Sequence, residues 1–215
     1  QVEERFQQRG RGAISNQTGR FELETRQAFD DGWGTIEDDD SRMETLLMKD
    51  SARTIITFNK SPDISFDRTV NPYRGCEHGC IYCFARPTHA WGGLSAGLDF
   101  ESKLFFKDNA VELLKRELSR PRYIPRVIAM GMNTDAYQPV EREKRLTRSL
   151  LEVLSAHRHP LSLLTKSALI QRDIDLIAPD FTPPPAPSAT IDGTGSVVTG
   201  TVVTGEGVAG SIIEV

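Results

Sequence analysis

Three cysteines lie close together in this 215-residue sequence, at Cys76, Cys80 and Cys83, and the rest of the chain contains none. Thiolates are soft ligands, and thiolates packed this closely favour an iron-sulfur cluster or zinc. A small and odd number of cysteines is also unsuited to a disulfide scaffold. The spacing therefore indicates a metal-binding loop.

The number of ligands separates the two kinds of metal site. Structural zinc is almost always four-coordinate, so a zinc site would need His78 or His89 as its fourth ligand. A four-iron cluster held by three thiolates would instead leave one iron open to a substrate or cofactor. The cysteines alone leave both alternatives open.

Hydrophobic patterning predicts the elements that position this loop. Short β-branched or aromatic runs and buried apolar runs indicate strands, and apolar residues at helical spacing indicate helices. Strands that alternate with helices imply βαβ units and a parallel sheet, in which ligands gather at the carboxyl ends of the strands. The predicted strands cover 54–58, 65–70, 126–130 and 161–165, and the predicted helices cover about 109–119, 142–157 and 169–178.

Three loops at strand ends are therefore candidate site segments. The loop after Val70 contains the cysteines, and the other two follow Met130 and Thr165. Each of these loops carries polar side chains that could contact a ligand.

The C-x3-C-x2-C spacing, with an aromatic residue just before the third cysteine, resembles the radical S-adenosylmethionine (SAM) superfamily. The segments 71–89, 131–139 and 164–167 resemble the spore photoproduct lyase-like branch of that superfamily. The resemblance covers roughly residues 8–179. It implies an α/β fold of the partial (β/α) barrel type, of which this chain supplies about three βα units.

The resemblance also implies roles for individual residues. Cys76, Cys80 and Cys83 match the ligands of a [4Fe-4S] cluster, whose open iron binds the amino and carboxylate groups of SAM. Tyr82 matches the aromatic residue that lies against the adenine, although packing under the loop is the alternative for this side chain.

Residues after the second and third predicted strands match SAM-binding segments. Thr134 and Asp135 would accept hydrogen bonds from the amino group of SAM, and a turn leading into the next helix is their alternative role. Lys166 would pair with the carboxylate of SAM, and the adjacent Ser167 belongs to the same segment. No catalytic residue is predicted beyond these cofactor contacts.

The implied activity is that of a lyase-like radical SAM enzyme. An electron from a flavodoxin- or ferredoxin-type donor enters the cluster and cleaves SAM to methionine and a 5'-deoxyadenosyl radical, which abstracts hydrogen from a substrate. Spore photoproduct lyase carries a further cysteine near its second strand, where this chain has Asn133, so repair of thymine dimers by that route is not expected. The alternatives are a non-catalytic iron-sulfur or zinc-binding module and an inactive truncated fragment.

The charge pattern bears on partners. Residues 101–172 contain 14 Lys and Arg against 8 Asp and Glu, although the whole chain has a formal net charge of -4. A basic segment could bind an anionic partner such as nucleic acid. The alternative is that these charged side chains form an ordinary solvated surface. A mean hydropathy of -0.36, and no apolar run of about 20 residues, predict a soluble, cytoplasmic protein without a membrane partner.

Composition divides the chain into three regions. Residues 1–53 are predicted to be an irregular N-terminal arm, and 54–179 the partial radical SAM core. Residues 180–215 contain a proline-rich stretch, a repeated Val-Val-Thr-Gly and no cationic residue, which predicts a disordered, low-complexity tail. The chain is thus expected to be a C-terminally truncated form.

Overall fold

A computed structural model describes residues 11–13, 15–18, 21 and 44–177, and the backbone of two strands at 198–200 and 212–214. Most of the predicted N-terminal arm and tail lies outside the described residues. The chain groups into two compact units: Gln1–Lys49 with Tyr73–Phe106, and Asp50–Pro72 with Lys107–Val215. Within the described part, no helix is both long enough and apolar enough to cross a membrane.

The elements alternate between strands and helices along most of the described chain. The strands are β1 (Leu46–Lys49), β2 (Ile56–Phe58), β3 (Arg68–Val70), β4 (Tyr73–Arg74), β5 (Lys103–Phe106), β6 (Ile128–Met130), β7 (Leu161–Leu163), β8 (Val198–Gly200) and β9 (Ile212–Glu214). The α-helices are α1 (Leu98–Ser102), α2 (Ala110–Leu118), α3 (Glu141–Lys144), α4 (Leu146–Ala156) and α5 (Ile174–Ile177), and 3₁₀ helices cover Arg86–Gly92 and Ala168–Asp173.

The first unit contains a mixed sheet in the order β1-β5-β4. β1 runs parallel to β5, with Leu46 opposite Lys103, and β4 runs antiparallel to β5, with Tyr73 opposite Phe106. β1 falls within the region 1–53, which the sequence predicted to be irregular. The cysteine segment lies between β4 and the 3₁₀ helix Arg86–Gly92 of this unit.

The second unit contains a sheet in the order β2-β3-β6-β7. β3, β6 and β7 are parallel, as the sequence predicted, and β2 pairs antiparallel with β3 at one edge. The predicted α/β class is therefore confirmed. The described strands form two small mixed sheets and a two-stranded pair but no closed barrel, so the radical SAM barrel stays a prediction.

Apolar faces of the predicted strands and helices form the core of the second unit. Val70, Ile128, Met130, Leu150 and Leu154 are among its fully or almost fully buried side chains, and α2 packs against α4. The predicted helix 109–119 corresponds to α2. The predicted helix 142–157 is divided into α3 and α4, and the predicted helix 169–178 is a 3₁₀ turn followed by the short α5.

Candidate functional site

All three cysteines lie in one short loop of the first unit. Cys76 is buried, Cys80 and Cys83 are partly buried, and none of the three forms a disulfide. The backbone N–H of Cys76 donates to the carbonyl of Phe100 (3.0 Å), and the N–H of Cys83 donates to the carbonyl of Cys80 (3.2 Å). These bonds hold three thiols on a single compact segment.

The packing of the loop brings two of the cysteines together. Cys76 forms a small apolar cluster with Ala85 and Phe100, and Cys83 packs against it. Among the described residues, no three His, Cys, Asp or Glu side chains are gathered tightly enough to enclose a metal ion. The donor types fit an iron-sulfur cluster.

His89, one of the two possible fourth zinc ligands, has a structural position in the first unit. Its ring is fully buried, its Nε2 lies 2.8 Å from the carbonyl of Lys103, and Phe100 and Phe105 pack edge-on against it. Because a carbonyl can only accept, Nε2 carries the proton. Burial lowers the pKa of His89, so the ring is neutral at pH 7. Zinc binding through Nε2 would require this packed hydrogen bond to break.

Tyr82 and its neighbours occupy the outer side of the loop. Tyr82 is 74% exposed, and Ile81 and Phe84 are exposed to a similar degree. Tyr82 is therefore not packed under the loop, which was the alternative to its adenine contact. The contact with SAM itself stays a prediction.

Sequence analysis missed two charged residues that hold the loop. Glu101 is fully buried and forms an ion pair with Arg86, whose guanidinium also donates to the carbonyl of Cys80. Glu101 lies in the segment 98–106, in which five of the nine residues are apolar. A charge buried among them requires a partner, which could have indicated this pair.

In the second unit, the loops that follow the three parallel strands meet at one edge of the sheet. The N–H of Asn133 donates to the side-chain oxygen of Asn71 (3.2 Å), and the N–H of Leu164 donates to the carbonyl of Met130 (3.0 Å). Gly131, at φ +87°, lies so close to Leu164 that a Cβ would be 2.0 Å from its carbonyl oxygen. Only glycine allows this close approach of the two loops.

Asp135 ties two of these loops together. Its Oδ1 accepts from the N–H of Tyr137 (2.8 Å) and from the hydroxyl of Thr165 (2.6 Å), and its Oδ2 accepts from the N–H of Lys166 (2.8 Å). The bond to Tyr137 forms an Asx turn, which is the alternative role weighed for Thr134 and Asp135.

The other predicted SAM contacts lie beside this turn. Thr134 is buried, the side chain of Lys166 is exposed, and Ser167 caps the 3₁₀ helix Ala168–Asp173 by accepting from the N–H of Leu169 (3.2 Å). The structure thus brings Asp135, Lys166 and Ser167 to one edge of the second unit. Their contacts with SAM stay predictions.

Comparisons with known proteins find relatives without a described function. The chain is 44% identical over 123 residues to proteins of Mycobacterium tuberculosis and Mycobacterium bovis, matching 56% of this chain and 36% of each relative. It is 34% identical over 136 residues to a protein of Methanocaldococcus jannaschii, matching 63% of this chain and 48% of that protein. All three carry the description "uncharacterized protein", and the chain spans less than half of their length. No family model and no solved structure matches.

Proposed function

We propose that this chain is part of a radical SAM protein in which Cys76, Cys80 and Cys83 hold a [4Fe-4S] cluster. The observation that carries the proposal is the placement of all three cysteines, none in a disulfide, on one hydrogen-bonded loop. When bound, the cluster supplies one electron for the reductive cleavage of SAM, with a flavodoxin- or ferredoxin-type protein as its donor. The substrate is not assigned.

The side chains of this chain would bind and orient the cofactors. The three thiolates would ligate iron, and the apolar cluster around Cys76 would limit access of water on that side of the loop. The strand-end edge that carries Asp135, Lys166 and Ser167 offers acceptors and a cation to the amino and carboxylate groups of SAM. The exposed ring of Tyr82 is available to stack against adenine.

Metal analysis of anaerobically purified protein tests the proposal. We expect about four iron and four sulfide ions per chain, as in a [4Fe-4S] protein. Equilibrium dialysis against SAM should then show binding that requires the cluster. One zinc per chain in place of iron would contradict the proposal and favour a structural zinc module.

Substitution of the ligands gives a sharper test. Cys76→Ala, Cys80→Ala and Cys83→Ala should each abolish cluster binding, because the chain has no other cysteine to replace the lost thiolate. Ile81→Ala, an exposed non-ligand change in the same loop, serves as the control and should keep its iron. Full iron content in any of the three cysteine variants would exclude this ligand set.

Nucleic acid is the substrate class left open by the basic segment 101–172. In the structure, part of that charge is neutralised, because Arg126, Arg148 and Arg172 form ion pairs with carboxylates of the second unit. Binding of a short DNA strand that weakens steeply with added salt would support this class. Absence of such binding at low salt would exclude nucleic acid as the substrate class.

A further inference from the structure

We propose that Arg86 and Glu101 are positioning residues that fix the backbone of Cys80, and with it the shape of the cysteine loop. The inference rests on the proposed function in one respect: the loop shape is taken to present the thiols to a cluster. The hydrogen bonds that define this shape are those of the protein without any ligand.

Arg86 spans the loop with several donors. Its Nε and Nη2 donate to the carbonyl of Cys80 (3.1 and 3.0 Å), and its Nη1 lies 3.2 Å from the carbonyls of Ala96 and Gly97. The same guanidinium is paired with Glu101, and its side chain is only 12% exposed. A planar fork of five donors suits this arrangement, whereas lysine could reach only part of it.

Glu101 connects this arginine to a segment far away in the sequence. Its carboxylate is fully buried and accepts from the backbone N–H groups of Gly12 (2.8 Å) and Ala13 (2.9 Å). We call residues 11–13 the strap. The strap lies directly against the cysteine loop, because a Cβ on Gly12 would be 1.8 Å from the carbonyl oxygen of Gly79, the residue before Cys80.

Arg11 extends the same network to the other end of the loop. It donates to the carbonyl of Glu101 and, through Nη2, to the hydroxyl of Thr45 (2.9 Å). That hydroxyl donates in turn to Oε1 of Glu77 (2.6 Å), which follows Cys76. The strap is therefore linked through Thr45 to Glu77, beside the first cysteine, and lies against Gly79, beside the second.

The carbonyl of Cys80 has two roles in this network. It accepts from Arg86 and also from the N–H of Cys83, so it fixes the turn between the second and third cysteines. Removing one member of a buried ion pair leaves the other uncompensated, which is strongly unfavourable. Loss of Arg86 or Glu101 should therefore release this turn without removing a thiol.

Hydrogen exchange of the metal-free protein tests the positioning role apart from the cluster. In Arg86→Gln and Glu101→Gln, the amide of Cys83 should exchange about tenfold faster or more than in the wild type, because its acceptor is no longer held. Arg86→Lys, the milder change, should give an intermediate rate. Arg172→Gln, which breaks the similarly buried pair with Glu141 in the second unit, is the matched control and should leave this amide unchanged.

Cluster-loaded protein gives the second set of measurements. Iron loss to a chelator should be about tenfold faster in Arg86→Gln than in the wild type. The electron paramagnetic resonance spectrum of the reduced cluster should also shift, since sulfur environment and exposure tune such clusters. These values should not change in Arg172→Gln, even if that variant is less stable.

The outcomes separate this inference from the proposed function. If wild-type protein holds no iron while Cys83 exchange still responds to Arg86 and Glu101, the proposed function fails and the positioning role stands. If exchange in Arg86→Gln and Arg86→Lys equals that of the wild type, the positioning role is wrong, whatever the iron content. Equal effects of Arg86→Gln and Arg172→Gln on the Cys83 amide would also overturn it, because general destabilisation would then explain the change.

Discussion

Buried glutamates connect backbone segments in both units. In each case, one carboxylate oxygen accepts from each of two successive backbone N–H groups. Such bonds to a charged acceptor are among the stronger hydrogen bonds in proteins. The pairs are Glu101 with Gly12 and Ala13, Glu117 with Ile55 and Ile56, and Glu141 with Thr147 and Arg148.

The substitution Glu117→Gln tests this role in the second unit. The carboxylate of Glu117 accepts from Ile55 (3.0 Å) and Ile56 (3.1 Å) at the entrance to β2, and the residue is almost fully buried. Glutamine keeps one acceptor and turns an NH2 group toward the other N–H. We expect the free energy of unfolding to fall by about 1–3 kcal/mol, measured by urea denaturation.

Glu112→Gln on the exposed side of the same helix, α2, is the matched control. It should change the free energy of unfolding by less than about 0.5 kcal/mol, as is usual for surface substitutions. Equal effects of the two substitutions would show that the buried carboxylate contributes no more than a surface charge.

At the scale of elements, a single residue separates α3 from α4. Arg145 has φ +51° and lies between the two helices, and Glu141 caps the first turn of α4 by accepting from Thr147 (3.0 Å) and Arg148 (3.3 Å). A left-handed conformation is costly for a residue with a Cβ. The break is therefore maintained by contacts rather than by the preference of Arg145.

Arg145→Gly should therefore stabilise the protein. Glycine adopts positive φ without a steric cost, so we expect a gain of about 0.5–1 kcal/mol in thermal or urea unfolding. Lys144→Gly, one residue earlier and inside α3, should have the opposite sign, because glycine in a helix is unfavourable. Destabilisation by both substitutions would mean that the side chain of Arg145 contributes more than its backbone costs.

Elements were predicted well from the sequence where the pattern that defines them spans only neighbouring residues. The strands near 126–130 and 161–165 and the helix near 109–119 were found because apolar runs and helical spacing are short-range patterns. The break at Arg145 was missed, because it depends on a cap from Glu141 across a turn. β1 was missed because its partner, β5, lies more than 50 residues away in the chain and the strand itself is short.

In the candidate site, too, features defined by neighbouring residues were predicted, and features that depend on distant residues were missed. Cysteine spacing is a local pattern, and it identified the loop. Asp135 was also identified, together with the turn that it forms. The network of Arg86, Glu101 and the strap was missed, because nothing in the local sequence indicates that residues 12 and 101 meet.

At the scale of the whole molecule, each unit contains a buried histidine held neutral. In the first unit, His89 is bonded to the carbonyl of Lys103. In the second, the hydroxyl of Tyr123 lies 2.7 Å from Nε2 of His159, and Nδ1 lies 3.0 Å from the carbonyl of Pro160. The carbonyl can only accept, so Nδ1 carries the proton and Nε2 accepts from Tyr123. Burial lowers the pKa of both histidines below their usual 6.5.

Both units should therefore lose stability in mild acid. The unfolded chain takes up protons near pH 6.5, whereas the folded histidines do so only at lower pH, so this stability is complete above pH 6.5 and is lost as the pH falls toward their folded pKa values. Each histidine can contribute at most about 1.4 kcal/mol per pH unit in that range.

Urea denaturation at pH 7.5 and 5.5, followed by circular dichroism, reports mainly on α2 and α4 and hence on His159. His159→Gln should reduce the pH dependence of the unfolding free energy, whereas His157→Gln, at an exposed position, should keep it. An unchanged slope in His159→Gln would show that other groups cause the acid sensitivity of the second unit.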